Sequence, residues 1–121
     1  MEELTVTKHS VNSKITARIL SDDEMRAAGF RCNDGKSWTY FVMIAPKQEI
    51  SFIVTIDKNE PETPNIMVLD EDFCQPYDYQ RFLEDRPNDP FLRSLQASVE
   101  QHMKKLETAG ILSGHVRGEY I

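Results

Sequence analysis

Four carboxylates near the middle of the chain are the first side chains whose types and spacing could do chemistry. They are Asp70, Glu71, Asp72 and Asp78, and carboxylate oxygens are the ligands that divalent cations prefer. The segment lacks the glycine and the distal glutamate of a calcium-binding loop, and short acidic clusters more often form a solvated turn. We therefore predict no metal site and no cofactor, and a magnesium site at these residues stays an open alternative.

The histidines and cysteines form no recognisable metal or nucleophile motif. His102 lies on a predicted helix, and Lys105 and Leu106 occupy the positions where a second helical ligand would stand. We expect His102 to be a boundary histidine hydrogen-bonded to a carbonyl group. Cys32 and Cys74 lack CxxC spacing, so we expect free thiols that behave as small buried residues.

The segment of residues 114–118 offers one further chemical group, an arginine flanked by glycines. Arg117 could hold an anion or the carboxylate of a partner, but a flexible tail over residues 113–121 is the simpler interpretation. This tail either lies along the surface or adds a last strand. No phosphate-binding glycine loop or nucleophile elbow is present, which favours a non-enzymatic protein.

One long amphipathic helix of about 20 residues, over residues 90–109, organises the predicted fold. Asp89 is a good N-cap, Pro90 suits the first helical position, and Gly110 suits a left-handed C-cap. The apolar stripe of this helix comprises Leu92, Leu95, Val99, Met103 and Leu106. The rest of the chain must cover that stripe.

Alternating apolar residues predict the sheet that covers it. Strands are predicted at residues 4–7, 15–19, 37–44, 50–56 and 66–69, with the first two forming a hairpin. A capping box at Ser21 and Glu24 begins one short helix, and a second is stopped by Pro87. The predicted fold class is α+β: an antiparallel β-meander packed on one long C-terminal helix, in a single domain over residues 1–121.

Charge argues against two classes of partner. The net charge is −6, and all of the excess lies in residues 46–80, which hold two lysines against eight acids. An acidic chain without a basic stripe is a poor ligand for nucleic acid or for an anionic membrane. A solvated loop face explains the acidic block more simply than a basic partner does. No secretory signal follows the acidic start of the chain, which together with free thiols favours the cytoplasm.

The predicted strands leave an apolar face that the helix does not cover. Phe41, Met43 and Ile53 point away from it, and such a face calls for a partner. Self-association as a two-fold dimer is the simplest solution. We therefore expect a non-enzymatic, self-associating protein-interaction or regulatory domain.

The alternative is a small-molecule-binding or small enzymatic domain with a pocket between the sheet and the long helix. Its lining would come from Trp38, Tyr40, Tyr77, Tyr79, Cys32 and His102. Large aromatic residues also fill helix-on-sheet cores, which is the simpler explanation for each of them. An inhibitor of a basic partner is a third possibility that the acidic block permits.

Overall fold

A computed structural model describes residues 14–117, which form an α+β fold with helices packed on one face of a sheet. The elements in chain order are β1 (Thr16–Ala17), α1 (Asp22–Ala28), β2 (Phe30–Arg31), β3 (Ser37–Ala45), a 3-10 helix (Pro46–Gln48), β4 (Ile50–Asp57), β5 (Asn65–Asp70), β6 (Gln75–Pro76), α2 (Tyr79–Asp85), α3 (Pro90–Thr108) and β7 (Leu112–Ser113).

The main sheet is the predicted antiparallel meander. Its five strands follow the order β2-β3-β4-β5-β6, and every neighbouring pair is antiparallel. The β2–β3 turn closes through Asp34, whose carboxylate accepts hydrogen bonds from the N–H groups of Lys36 (2.8 Å) and Ser37 (3.0 Å). These hydrogen bonds hold the pKa of Asp34 below its ordinary value, because they stabilise the charged form.

The long helix α3 is confirmed with its predicted cap. One carboxylate oxygen of Asp89 accepts hydrogen bonds from the N–H groups of Phe91 (2.9 Å) and Leu92 (3.1 Å). The helix ends at Thr108, one residue earlier than predicted, and Gly110 follows with φ of +84°. The Ile111 N–H then bonds back to the Leu106 carbonyl at 3.1 Å, which is the expected C-terminal closure.

The core lies between α3 and the inner face of the sheet. The predicted stripe of α3 is buried, and so is the face of β4 that we expected to meet it. Phe52, Val54 and Ile56 are each 0 % exposed. Burial of this apolar surface is the main source of stability in a domain of this size.

The two short helices α1 and α2 begin at the N-cap residues Ser21 and Asp78. The Ser21 hydroxyl accepts a hydrogen bond from the Glu24 N–H, and the Glu24 carboxylate accepts one from the Ser21 N–H, both at 3.2 Å. Hydrogen bonds from Ser21 lower the pKa of Glu24. Asp78 caps α2 by accepting from the Arg81 N–H, and this helix ends before Pro87 as predicted.

The structure differs from the prediction at the ends of the chain. The strand predicted at residues 15–19 is shorter, and the hairpin partner predicted at residues 4–7 lies outside the described residues. Instead β1 pairs with β7, with Thr16 opposite Ser113 and Ala17 opposite Leu112. Ser113, the first residue of the predicted tail, therefore belongs to strand β7. Residues 118–121 lie outside the described part. Strand β6 was not predicted, because two residues including a proline carry no periodic signal.

Candidate functional site

The outer face, meaning the side of the five-stranded sheet turned away from α3, carries three of the predicted binding residues. Phe41 lies directly opposite Ile53, and Ile53 lies directly opposite Met67. Phe41 is 54 % exposed, while Ile53 and Met67 are half-buried. Residues directly opposite each other share one face of the sheet. The outer face therefore carries a continuous apolar row across its three longest strands.

A second row of the outer face lies one step further along the strands. Met43 on β3 and Leu69 on β5 each lie directly opposite Ser51 on β4, and both are half-buried. Ser51 is 0 % exposed, and its hydroxyl donates a hydrogen bond to Glu71 Oε2 at 2.6 Å. Sequence reasoning missed Met67 and Leu69, because the run of residues 66–69 is apolar throughout and shows no alternation. The pairing register supplies the missing information.

Charged residues stand at two opposite corners of the outer face. Arg31 pairs with Thr39 at the β2 edge of the sheet. Glu71 follows β5 at the other end, where its N–H donates to the Glu49 carbonyl at 2.8 Å. Strand spacing and rise place the two corners roughly 25 Å apart. The apolar rows lie between Arg31 at one corner and Glu71 at the other.

Tyr40 and His102, predicted as binding residues on separate elements, meet on the inner face. The Tyr40 hydroxyl lies 2.6 Å from His102 Nδ1, and Lys105 Nζ donates to the same hydroxyl at 3.4 Å. The expectation of a carbonyl partner for His102 is wrong, because the nearest polar atom on β3 is a side-chain hydroxyl. Lys105 was not predicted as part of this group.

Aromatic rings surround this hydrogen bond. The rings of His102 and Phe52 stack at 5.9 Å, and Tyr40 lies 5.4 Å from Phe30. Burial lowers the pKa of His102, and the neighbouring Lys105 ammonium lowers it further. A neutral imidazole is therefore the favoured state of His102. The group is a hydrogen-bonded bridge between β3 and α3.

Of the other aromatic residues of the alternative pocket, Trp38 and Tyr79 fill the core, whereas Tyr77 is half-buried with its ring 5.3 Å from that of Phe82. Trp38 is 1 % exposed, Tyr40 4 % and Tyr79 1 %. Arg26 and Lys58 lie 5.6 Å and 5.5 Å from the centre of a Trp38 ring, and no described residue accepts a hydrogen bond from its Nε1. Trp38 thus lies on the inner face, and it is not part of the outer face with Phe41, Met43 and Ile53.

Asp70 and Asp78, two of the four acidic residues considered for a metal site, accept hydrogen bonds from nearby main-chain N–H groups. One carboxylate oxygen of Asp70 accepts from the N–H groups of Asp72 (3.1 Å) and Phe73 (3.3 Å), and Asp78 caps α2. Within residues 14–117, no group of three or more histidine, cysteine or acidic side chains could hold a metal ion. These partners are the ones that a solvated turn requires.

The two cysteines are free thiols, as predicted. Cys32 is half-buried, but Cys74 is exposed, so the expectation of burial is wrong for Cys74. Cys74 has a φ of +54° in the turn between β5 and β6, and that turn projects its side chain away from the core.

No helix in residues 14–117 has both the length and the apolar character needed to cross a membrane. The chain has no match among protein-family models, and no curated protein or solved structure resembles it significantly.

Proposed function

We propose that this protein is a non-enzymatic protein-interaction module that self-associates through the outer face of its sheet. The observation that carries the proposal is the apolar row of Phe41, Ile53 and Met67, in which Phe41 is 54 % exposed. Exposed apolar rows on a rigid sheet lose unfavourable hydration when a second surface covers them. The strands hold the row in one shape, so little conformational entropy is lost on contact.

A second copy of this chain is the occupant that the charges favour. A two-fold axis through the apolar rows, perpendicular to the diagonal between the corners, brings Arg31 of each copy over Glu71 of the other. Opposite charges then meet at both ends of the contact, and apolar residues meet in its centre. Such an arrangement is self-complementary, which a two-fold contact requires.

The alternative of a ligand pocket between sheet and helix receives less support. Trp38, Tyr40 and Tyr79 are nearly fully buried, and their volume contributes to the core. The Tyr40 hydroxyl and His102 Nδ1 are already hydrogen-bonded to each other. Both observations favour an interaction module over a pocket in this position.

Sedimentation velocity over about a hundredfold range of concentration tests the proposal. We expect the wild-type chain to shift from monomer to dimer as its concentration rises. The double variant Phe41→Glu/Ile53→Glu should stay monomeric throughout, because four buried carboxylates would oppose the contact.

A control for added charge is Phe73→Glu, which places one carboxylate per chain, half the change of the double variant, on a side chain that is 70 % exposed in the turn after β5. This variant should dimerise like the wild type. A wild-type monomer at every concentration would refute the proposal. So would an unfolded double variant by circular dichroism, since Phe41 and Ile53 would then belong to the core.

A further inference from the structure

A groove on the flank of α3 presents side chains that neither the core nor the outer face uses. Arg93, Ala97, Glu100 and Lys104 follow one another at spacings of four, three and four residues, so they form one stripe along the helix. Arg117, from the segment after β7, lines the same groove. The groove has a volume of about 720 Å³.

A buried histidine holds the segment after β7 against the helix. The His115 side chain is 2 % exposed, and its Nε2 lies 2.8 Å from Glu100 Oε1. The His115 N–H also donates to Glu107 Oε2 at 3.3 Å. These contacts place Arg117 Nε 3.8 Å from Glu100 Oε1, while the Arg117 side chain stays 77 % exposed. The guanidinium group therefore lies at the groove and is open to solvent.

The groove is locally positive on a chain whose net charge is −6. Arg93, Lys104 and Arg117 contribute positive charge, against the single carboxylate of Glu100. His115 and Arg117 already contact that carboxylate. Neither Arg93 nor Lys104 forms an ion pair inside the described range of 14–117. The groove therefore attracts negative charge.

We propose that this groove binds an extended acidic peptide segment of a partner protein. Arg93 and Lys104 stand at its two ends, about 16 Å apart at the rise of an α-helix. An extended peptide rises about 3.4 Å per residue, so about six residues span that length. Ala97 leaves space for a main chain between the cations. Cations spaced along a groove match spaced carboxylates better than they match one compact anion.

Fluorescence anisotropy with fluorescein-labelled hexaglutamate tests this site on the full chain. We expect saturable binding that weakens as sodium chloride is added. The variant Arg93→Glu/Lys104→Glu should weaken binding by about tenfold or more, which corresponds to about 1.4 kcal/mol. The control Lys36→Glu/Lys47→Glu makes the same charge change in the β2–β3 turn and in the 3-10 helix, and binding should change by less than about twofold.

Three results would overturn the assignment. They are no binding to the wild type, equal weakening in both variants, and tighter binding of inorganic pyrophosphate than of hexaglutamate in a competition. Arg93→Gln/Lys104→Gln replaces the charge-reversed variant if circular dichroism shows that the latter is unfolded. The Phe41→Glu/Ile53→Glu variant should keep its affinity for hexaglutamate, so the groove and the outer face are tested separately.

Discussion

At the scale of single residues, the Tyr40–His102 hydrogen bond joins β3 to α3. The Lys105 ammonium, which donates to the Tyr40 hydroxyl oxygen at 3.4 Å, favours the arrangement in which that hydroxyl donates to His102 Nδ1. Only a neutral imidazole can accept that hydrogen bond. The bridge between β3 and α3 therefore depends on the protonation state of one side chain.

Stability should decrease in mild acid because of His102. Burial and Lys105 lower the pKa of His102 in the folded state, whereas the unfolded chain takes up a proton near pH 6.5. The contribution of His102 is therefore complete above about pH 6.5, and it is lost as pH falls through the folded-state pKa. Urea denaturation at about pH 7.5 and about pH 5.5 measures the change in the free energy of unfolding.

The variant His102→Gln isolates this effect, since glutamine does not titrate and every other ionisable group is kept. We expect the wild type to lose more stability between the two pH values than His102→Gln does. Equal losses in the two proteins would show that His102 does not resist protonation in the folded state.

At the scale of elements, local signals predicted structure wherever they were strong. The caps Ser21 and Asp89 each satisfy main-chain N–H groups within three residues, so the local sequence contains the whole interaction. The outer-face residues Phe41 and Ile53 were predicted for a similar reason, because period-2 alternation assigns faces without knowledge of the pairing.

Interactions between distant segments could not be predicted in the same way. The β1–β7 pair joins residues about one hundred positions apart, and two-residue strands carry no periodicity. The burial of His115 depends on Glu100, which lies on a different element. The contact between Tyr40 and His102 likewise depends on how α3 crosses the sheet. These features need tertiary geometry, which spacing alone does not contain.

Gly114 is the residue on which the β1–β7 pairing depends most closely. A Cβ atom there would lie 2.2 Å from the Lys14 carbonyl oxygen, and its φ is +88°. We expect Gly114→Ala to destabilise the protein by roughly 3 kcal/mol, from main-chain strain together with overpacking. Hydrogen exchange at the Arg18 N–H, which donates to the Ile111 carbonyl, should speed up as this region loosens.

Gly35 is a matched control for the same change. Its φ is +74°, but no atom lies within 4 Å of a Cβ placed there. Gly35→Ala should therefore cost only about 1 kcal/mol, from strain in the left-handed main chain. Similar losses of stability in the two variants would mean that the contact between the new Cβ atom and the Lys14 carbonyl oxygen does not destabilise the protein.

At the scale of the whole molecule, the two proposed contact surfaces lie on different layers of the fold. The outer face is on the sheet side, and the positive groove is on the flank of α3. A dimer formed through the outer face leaves both grooves open to solvent. Self-association and peptide binding are therefore compatible, and two grooves in one dimer would favour a partner with repeated acidic segments.

A charge exchange between the corners of the outer face tests the orientation of that dimer. Arg31→Glu places two acidic corners opposite each other in the proposed arrangement, so dimerisation should weaken by about fivefold to tenfold. Glu71→Arg should weaken it similarly through two basic corners, and circular dichroism checks that this variant folds, because Glu71 also accepts the hydrogen bond of the buried Ser51 hydroxyl. Combining Arg31→Glu with Glu71→Arg restores opposite charges at both ends, and the dissociation constant from sedimentation should return toward the wild-type value. Additive losses in the double variant would rule out this two-fold axis, because only a contact between Arg31 and Glu71 of different copies makes the two changes compensate.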